Sequence, residues 1–139
     1  MSSTRTILGF DFGMKNIGVA VGQELTYTAN PLTVIKAKDG IPNWDEIAAL
    51  LQQWKPQLLI VGLPLNMDGS EQEMTAAARR FGNRLNARFK LPVDWQDERL
   101  TTFEALDQLG INSKMQSNTR GDVDRISAQL ILQSWLNQQ

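Results

Sequence analysis

The sequence predicts an α/β fold, a mixed five-stranded sheet flanked by helices in a single domain spanning 1–139. Two patterns carry this expectation. Apolar runs of strand length fill the first third of the chain and recur singly further on. Polar capping residues followed by apolar stripes at helical spacing mark helices between the later runs. The resulting order is βββ, then αβαβ, then two helices.

Thr6 to Phe12 and Ile17 to Gly22 read as two strands joined by a glycine turn, and Leu25 to Ile35 as a third, interrupted at Asn30-Pro31. Asn43 then opens a helix. Glu46 completes its capping box, and Trp44, Ile47, Ala48, Leu51 and Trp54 form its apolar stripe, which Lys55-Pro56 ends. Leu58 to Leu63 is continuously apolar, as a parallel strand covered on both faces should be. After the turn Asp68-Gly69, Ser70 with Glu73 caps a longer helix with the stripe Met74, Ala78, Phe81, Leu85 and Phe89. Val93 to Asp97 is the fifth strand, followed by a third capping box, Thr101 with Glu104. Gly110 to Thr119 is polar and reads as a mobile loop, and Asp122 to Leu136 is the last helix.

Composition narrows the chemistry. The 139 residues contain no cysteine and no histidine, which removes disulfides, thiol and imidazole catalysis, and structural zinc built on those ligands. Hydrolysis in such a chain rests on carboxylates, lysine or a hard cation held by oxygen. The net charge of −1 neither demands nor excludes a nucleic-acid partner, so a polyanion binder would need its basic residues clustered. The start of the chain lacks the apolar core of a signal peptide, and no stretch approaches the roughly 18 apolar residues of a membrane span. A cytoplasmic protein without membrane association is the expectation.

Three acids stand at the mouths of elements. Asp11 ends the first strand beside a glycine turn, Glu98 follows the fifth, and Asp124 lies in the first turn of the last helix. Sites in open α/β sheets form outside the carboxyl ends of strands, where Asp11 and Glu98 converge if their strands are parallel. From Asp124, Ala128, Ile131 and Trp135 share one helix face, so Asp124 heads the stripe that turns towards the sheet. Three carboxylates held together repel one another, and a divalent cation among them relieves the cost. Asp122, by contrast, reads as a charge that complements the helix dipole.

Basic residues cluster on the long helix as Arg79, Arg80, Arg84 and Arg88, a stripe that either tracks a phosphate backbone or is a solvated face. Gly62-Leu63-Pro64-Leu65-Asn66 either presents backbone N–H groups to a phosphate or is only a sharp strand exit.

Taken together, Asp11-Phe12-Gly13 with Lys15 and Ile17-Gly18-Val19-Ala20, Val61 to Gly69, Asp97-Glu98-Arg99-Leu100-Thr101-Thr102, and Val123-Asp124 with Ser127-Ala128 resemble the YqgF (RuvX) family over nearly the whole chain. The resemblance implies a ribonuclease H-like fold and a nuclease dependent on Mg²⁺ or Mn²⁺, with Asp11, Glu98 and Asp124 as catalytic and metal-binding residues. It also implies RNA as partner, through maturation of the 5′ end of pre-16S rRNA in ribosome biogenesis. Lys15, Arg80, Arg84, Arg88, Arg99, Lys114 and Arg120 are the candidate nucleic-acid contacts. Met14 stands where the family usually has a small hydroxyl residue, and Asp122 where a basic one is common. The alternatives are a Holliday junction resolvase acting on branched DNA, which requires a dimer, and a non-catalytic RNA or protein adaptor. The sequence leaves monomer and homodimer both open. An ATPase lobe of the actin type also opens on Asp-x-Gly and a hairpin, but this chain has no second such hairpin.

Overall fold

Residues 5–100 and 120–139 are described by the computed structural model of the protein, with the backbone alone at 100 and 120–123. In chain order they form β1 (Thr6–Asp11), β2 (Asn16–Gln23), β3 (Thr28–Lys38), β4 (Ile41–Pro42), α1 (Trp44–Trp54), β5 (Leu58–Leu63), α2 (Glu73–Phe89), β6 (Val93–Asp97), a one-turn 3₁₀ helix (Glu98–Leu100) and α3 (Arg120–Asn137). The third capping box, Thr101 with Glu104, and the polar segment Gly110 to Thr119 lie outside the described residues.

The strands lie in the order β4-β3-β2-β1-β5-β6. β1 to β4 pair antiparallel in sequence, whereas β1, β5 and β6 run parallel and end at one edge. Alternation along β1 sorts its side chains between two cores. Leu8 and Phe10, continued by Phe12, pack with Val61, Ile47, Phe81 and Leu85 on the side of α1 and α2. Ile7 instead packs with Ile60, Ala128, Leu132 and Trp135 on the side of α3. By the same alternation Gly9 and Asp11 belong to the α3 side, and Gly9 does lie against Leu132.

The helix ends follow their residues. Asn43 Oδ1 accepts from the Asp45 N–H at 3.0 Å to start α1, and left-handed Lys55 returns its N–H to the Leu51 carbonyl before Pro56. The start of α2 differs from expectation: Gln72, not Ser70, is the cap. The Gln72 N–H donates to Thr75 Oγ1, and the Thr75 hydroxyl donates to the Pro64 carbonyl. Ser70 serves the preceding turn instead, donating through its N–H and hydroxyl to Asp68 Oδ1.

Among the described residues the sheet has six strands rather than five. Pro31 does not interrupt β3, because Val19 faces Thr33 and Ala20 faces Pro31, leaving Leu32 as an extra residue in a bulge that tolerates proline. The sixth strand is the short β4. Asp39 and Gly40 both have positive φ, 52° and 80°, and fold β4 back on β3 in a two-residue turn.

α3 is buried from Ala128 to Leu136 on every side, so apolar contact alone does not set its rotation. Side-chain amides do. Gln129 Nε2 donates to the Ala29 carbonyl, while Gln133 Oε1 accepts from the Ala29 N–H and its Nε2 donates to the Tyr27 carbonyl. Trp135 Nε1 adds a bond to Asp94 Oδ2 on β6. Among the described residues no helix is long and apolar enough to cross a membrane.

Candidate active site

Asp11 closes β1 and sits opposite Gly18 of β2. Gly18 is where the start of α3 meets the sheet, since a Cβ there would overlap the Asp124 carbonyl oxygen. The absence of a side chain at position 18 thus brings the second turn of α3 down beside Asp11, because the helix starts at Arg120 and Asp124 is its fifth residue rather than part of the first turn as the sequence predicts. The third acid arrives from the other direction. β5 separates β1 from β6, and the Glu98 side chain lies over Gly62 of β5, where an added Cβ would come within 3.1 Å of Glu98 Oε2. Gly18 and Gly62 are therefore the positions that let the acids approach. The sequence showed both glycines within motifs, but their crossing partners become visible only when the strands are paired.

The electrostatics reflect this convergence. Burial, the Glu98 charge and the Asp124 charge push Asp11 up to about 7. Burial raises Glu98 as well, helped by the neighbouring charge of Asp97. Asp124 Oδ2 is buried and has no hydrogen-bond partner among the described residues. Among those residues no three carboxylates already close into a cage around one point. Mg²⁺ does not need such a cage, because it binds through one or two carboxylates and keeps waters and substrate phosphates for its other positions.

A sequence profile described as RuvX, Holliday junction resolvase, matches residues 5–138. The chain belongs to the RuvX family. Relatives in this family include a protein of Aeromonas hydrophila subsp. hydrophila named "Putative pre-16S rRNA nuclease", 58% identical over 99% of this chain and 98% of its own length. One of the same name from Nitrosococcus oceani is 57% identical over 99% of this chain and 90% of its own. Among solved structures, T. thermophilus RuvC in complex with Holliday junction substrate superposes with a TM-score of 0.58 at 18% identity, covering 96% of both chains. The yeast mitochondrial Holliday junction resolvase Ydc2 gives 0.55 at 11% identity, over 94% of this chain and 77% of its own. These structural likenesses show the ribonuclease H-like fold, and the RuvX family is one of enzymes that hydrolyse phosphodiester bonds.

The basic residues occupy different surroundings. Lys15 is exposed in the turn after Asp11. Arg80 and Arg84 line a pocket on the α1 and α2 side, near that same turn. Arg88 differs from the expected stripe, because its guanidinium stacks on Trp44 at 4.3 Å from the ring centre. Arg79 bonds Glu71 and lies over Trp95. Arg99 grips its neighbour Asp97, with Nη2 to Oδ2 at 2.6 Å, and donates from Nη1 to the Met67 carbonyl. That bond ties the β5–α2 loop to the segment carrying Glu98, a positioning role that its place beside an acid did not reveal. Lys114 and the Arg120 side chain lie outside the described residues. In the segment Gly62 to Asn66, which reads either as a phosphate-facing turn or as a sharp strand exit, the Asn66 N–H donates to the Ser70 carbonyl, and beyond it the Gly69 and Ser70 N–H groups are also bonded within the loop.

Proposed function

We propose that this protein is a metal-dependent nuclease that processes the 5′ end of pre-16S rRNA in the cytoplasm, with Asp11, Glu98 and Asp124 as its catalytic and metal-binding residues. The observation that carries the site is the convergence of three acids at the end of β1, where Asp11 faces Gly18 under the Asp124 backbone and Glu98 lies over Gly62; burial and the two other acids push Asp11 up to about 7, a cost that a cation or proton relieves. The donor set fits a hard ion, being all carboxylate oxygen, with the buried Asp124 Oδ2 lacking any other partner. The names of the relatives support rRNA as the substrate.

When bound, Mg²⁺ or Mn²⁺ supplies Lewis acidity towards a phosphoryl oxygen and an acidified water. The chain does the positioning. Asp11 offers its charge from the end of a rigid strand, Glu98 from across Gly62, and Asp124 from a helix that rests on Gly18 at that very residue. Arg99 keeps Asp97 turned away, which leaves Glu98 as the inward acid of the pair. With no histidine in the chain, no imidazole takes the proton from water, so carboxylates and phosphate oxygens are its acceptors.

Purified protein with Mg²⁺ or Mn²⁺ is offered a pre-16S 5′-leader RNA and a four-way DNA junction, beside Asp11→Asn and Asp124→Asn. Cleavage of the RNA, abolished by either substitution, is expected. Cleavage of the junction alone would transfer the assignment to the resolvase named in the family description. Failure to cut either substrate would leave the adaptor reading.

A further inference from the structure

The pocket beside the β1–β2 turn has no part in holding the three acids. Its volume is about 120 Å³, and Phe12, Met14 and Ile41 form its apolar wall, while Arg80 and Arg84 stand on one side and Asp39 at another. Three features separate it from a merely basic helix face. Arg80 and Arg84 are exposed and enter no ion pair among the described residues, whereas Arg79, Arg88 and Arg99 are each engaged by a carboxylate or a ring. Two members of the apolar wall are open to solvent, Met14 at 42% and Ile41 at 52% exposure, over the buried Phe12 at 8%. The wall is also rigid: Gly40 N–H donates to the Met14 carbonyl at 2.9 Å and Ala37 N–H to the Lys15 carbonyl at 2.8 Å, lacing the two turns together.

We propose that this pocket binds one nucleotide of a single-stranded segment of the substrate, its phosphate on Arg80 and Arg84 and its base against Met14 and Ile41. The proposal rests on the nuclease reading above and deepens it. Two unpaired guanidiniums match a phosphodiester by charge and by fork geometry. The exposed thioether and aliphatic surface offers a base a flat apolar contact that a paired and stacked base in a duplex cannot make. Asp39 disfavours a phosphate at its end and can accept from an amino or hydroxyl group there, which sets the nucleotide's direction. Phe12 follows Asp11 and faces the opposite side of the sheet, so the pocket and the acids flank the same end of β1 from its two faces.

The test measures binding separately from cutting. Full-length Asp11→Asn protein, with Mg²⁺ present, is titrated with a fluorescent single-stranded oligoribonucleotide and with a blunt duplex across a range of salt. Adding Arg80→Ala and Arg84→Ala should weaken single-strand binding at least about tenfold and reduce the salt slope by about 0.7, the contribution of one neutralised phosphate on a single strand. Met14→Ala with Ile41→Ala should weaken it about fivefold or more with the slope unchanged, since stacking releases no counterion. Duplex binding should change by less than about twofold in either case. Circular dichroism and melting check that the exposed substitutions leave the fold intact. Undiminished single-strand affinity in the arginine variant overturns the pocket, as does an equal loss for duplex, which would mark a general basic face. Because Asp11→Asn protein is used throughout, absence of nuclease activity in the native chain would sink the functional reading without touching this result.

Discussion

The acid cleft and the arginine pocket both sit where β1 ends, one on each side of the sheet, yet they are built on opposite terms. The cleft collects like charges where water is scarce, leaving Asp11 high at about 7 and Asp124 Oδ2 without a partner among the described residues. The pocket keeps its two guanidiniums in solvent, where their mutual repulsion is screened. Two adjacent residues mark the division, because alternation sends Asp11 one way and Phe12 the other. A site that stores electrostatic cost lowers stability in proportion to its readiness for a cation, while a site that only presents charge costs the fold little.

Asp11→Asn breaks this comparison most sharply. Single-turnover cleavage with Mg²⁺ should fall at least about a thousandfold, about 4 kcal/mol of barrier. Stability should move the other way. The folded-state value of Asp11 lies above its ordinary 3.8, so its contribution to stability is full below about 3.8 and is lost as pH rises through about 7. Metal-free protein should therefore melt lower at pH 8 than at pH 5.5, with Glu98 adding in the same direction, and Asp11→Asn should reduce that dependence; between those two pH values about 2 kcal/mol is the upper bound for Asp11. A metal-free melting temperature that is flat across this range would mean the acids do not share a buried site.

Gly18→Ala comes next, because its Cβ meets the backbone carbonyl of Asp124, which cannot swing aside as a side chain can. A loss of about 2 to 3 kcal/mol is expected, read as a melting point lower by roughly 5 to 10 °C. Gly62→Ala is milder, about 1 kcal/mol, since its nearest neighbour is the terminal Ile131 Cδ1 at 2.6 Å. Its activity should drop further than its stability, because the same methyl displaces Glu98. The smallest effect is Arg88→Ala: loss of the Trp44 contact costs about 0.5 to 1 kcal/mol in urea unfolding, with single-strand affinity unchanged. Weakened RNA binding in that variant would restore the continuous stripe and blur the line between the pocket and the rest of α2.

Most of the framework was legible because local rules agreed. Leu58 to Leu63 is buried throughout as its unbroken apolar run requires, and Phe81 and Leu85 face the core as the α2 stripe predicts. The spacing of Ala128, Ile131 and Trp135 turned Asp124 towards the sheet, and its buried Oδ2 and its charge acting on Asp11 agree, although burial all round α3 means those three residues alone mark no face. What was not legible depended on pairing. The bulge at Leu32 that absorbs Pro31 exists only opposite Val19 and Ala20, and the engagement of Arg88 requires Trp44 from another helix. The Asp39-Gly40 turn is a different case: its dipeptide is a strong hairpin signal, and its partner strand is too short to be seen by periodicity.

The two glutamines of α3 have a consequence for tolerance to change. A helix seated by apolar contact alone can roll by a fraction of a turn when a neighbour is altered, since one oily surface resembles the next. Gln129 and Gln133 read named backbone groups at Ala29 and Tyr27, and these fit at one angular setting only. The far end of the helix thus acts as a key for the near end, where Asp124 stands. Substitutions around the β2–β3 turn, remote from any phosphate, should then surface as drift in the aim of a single carboxylate.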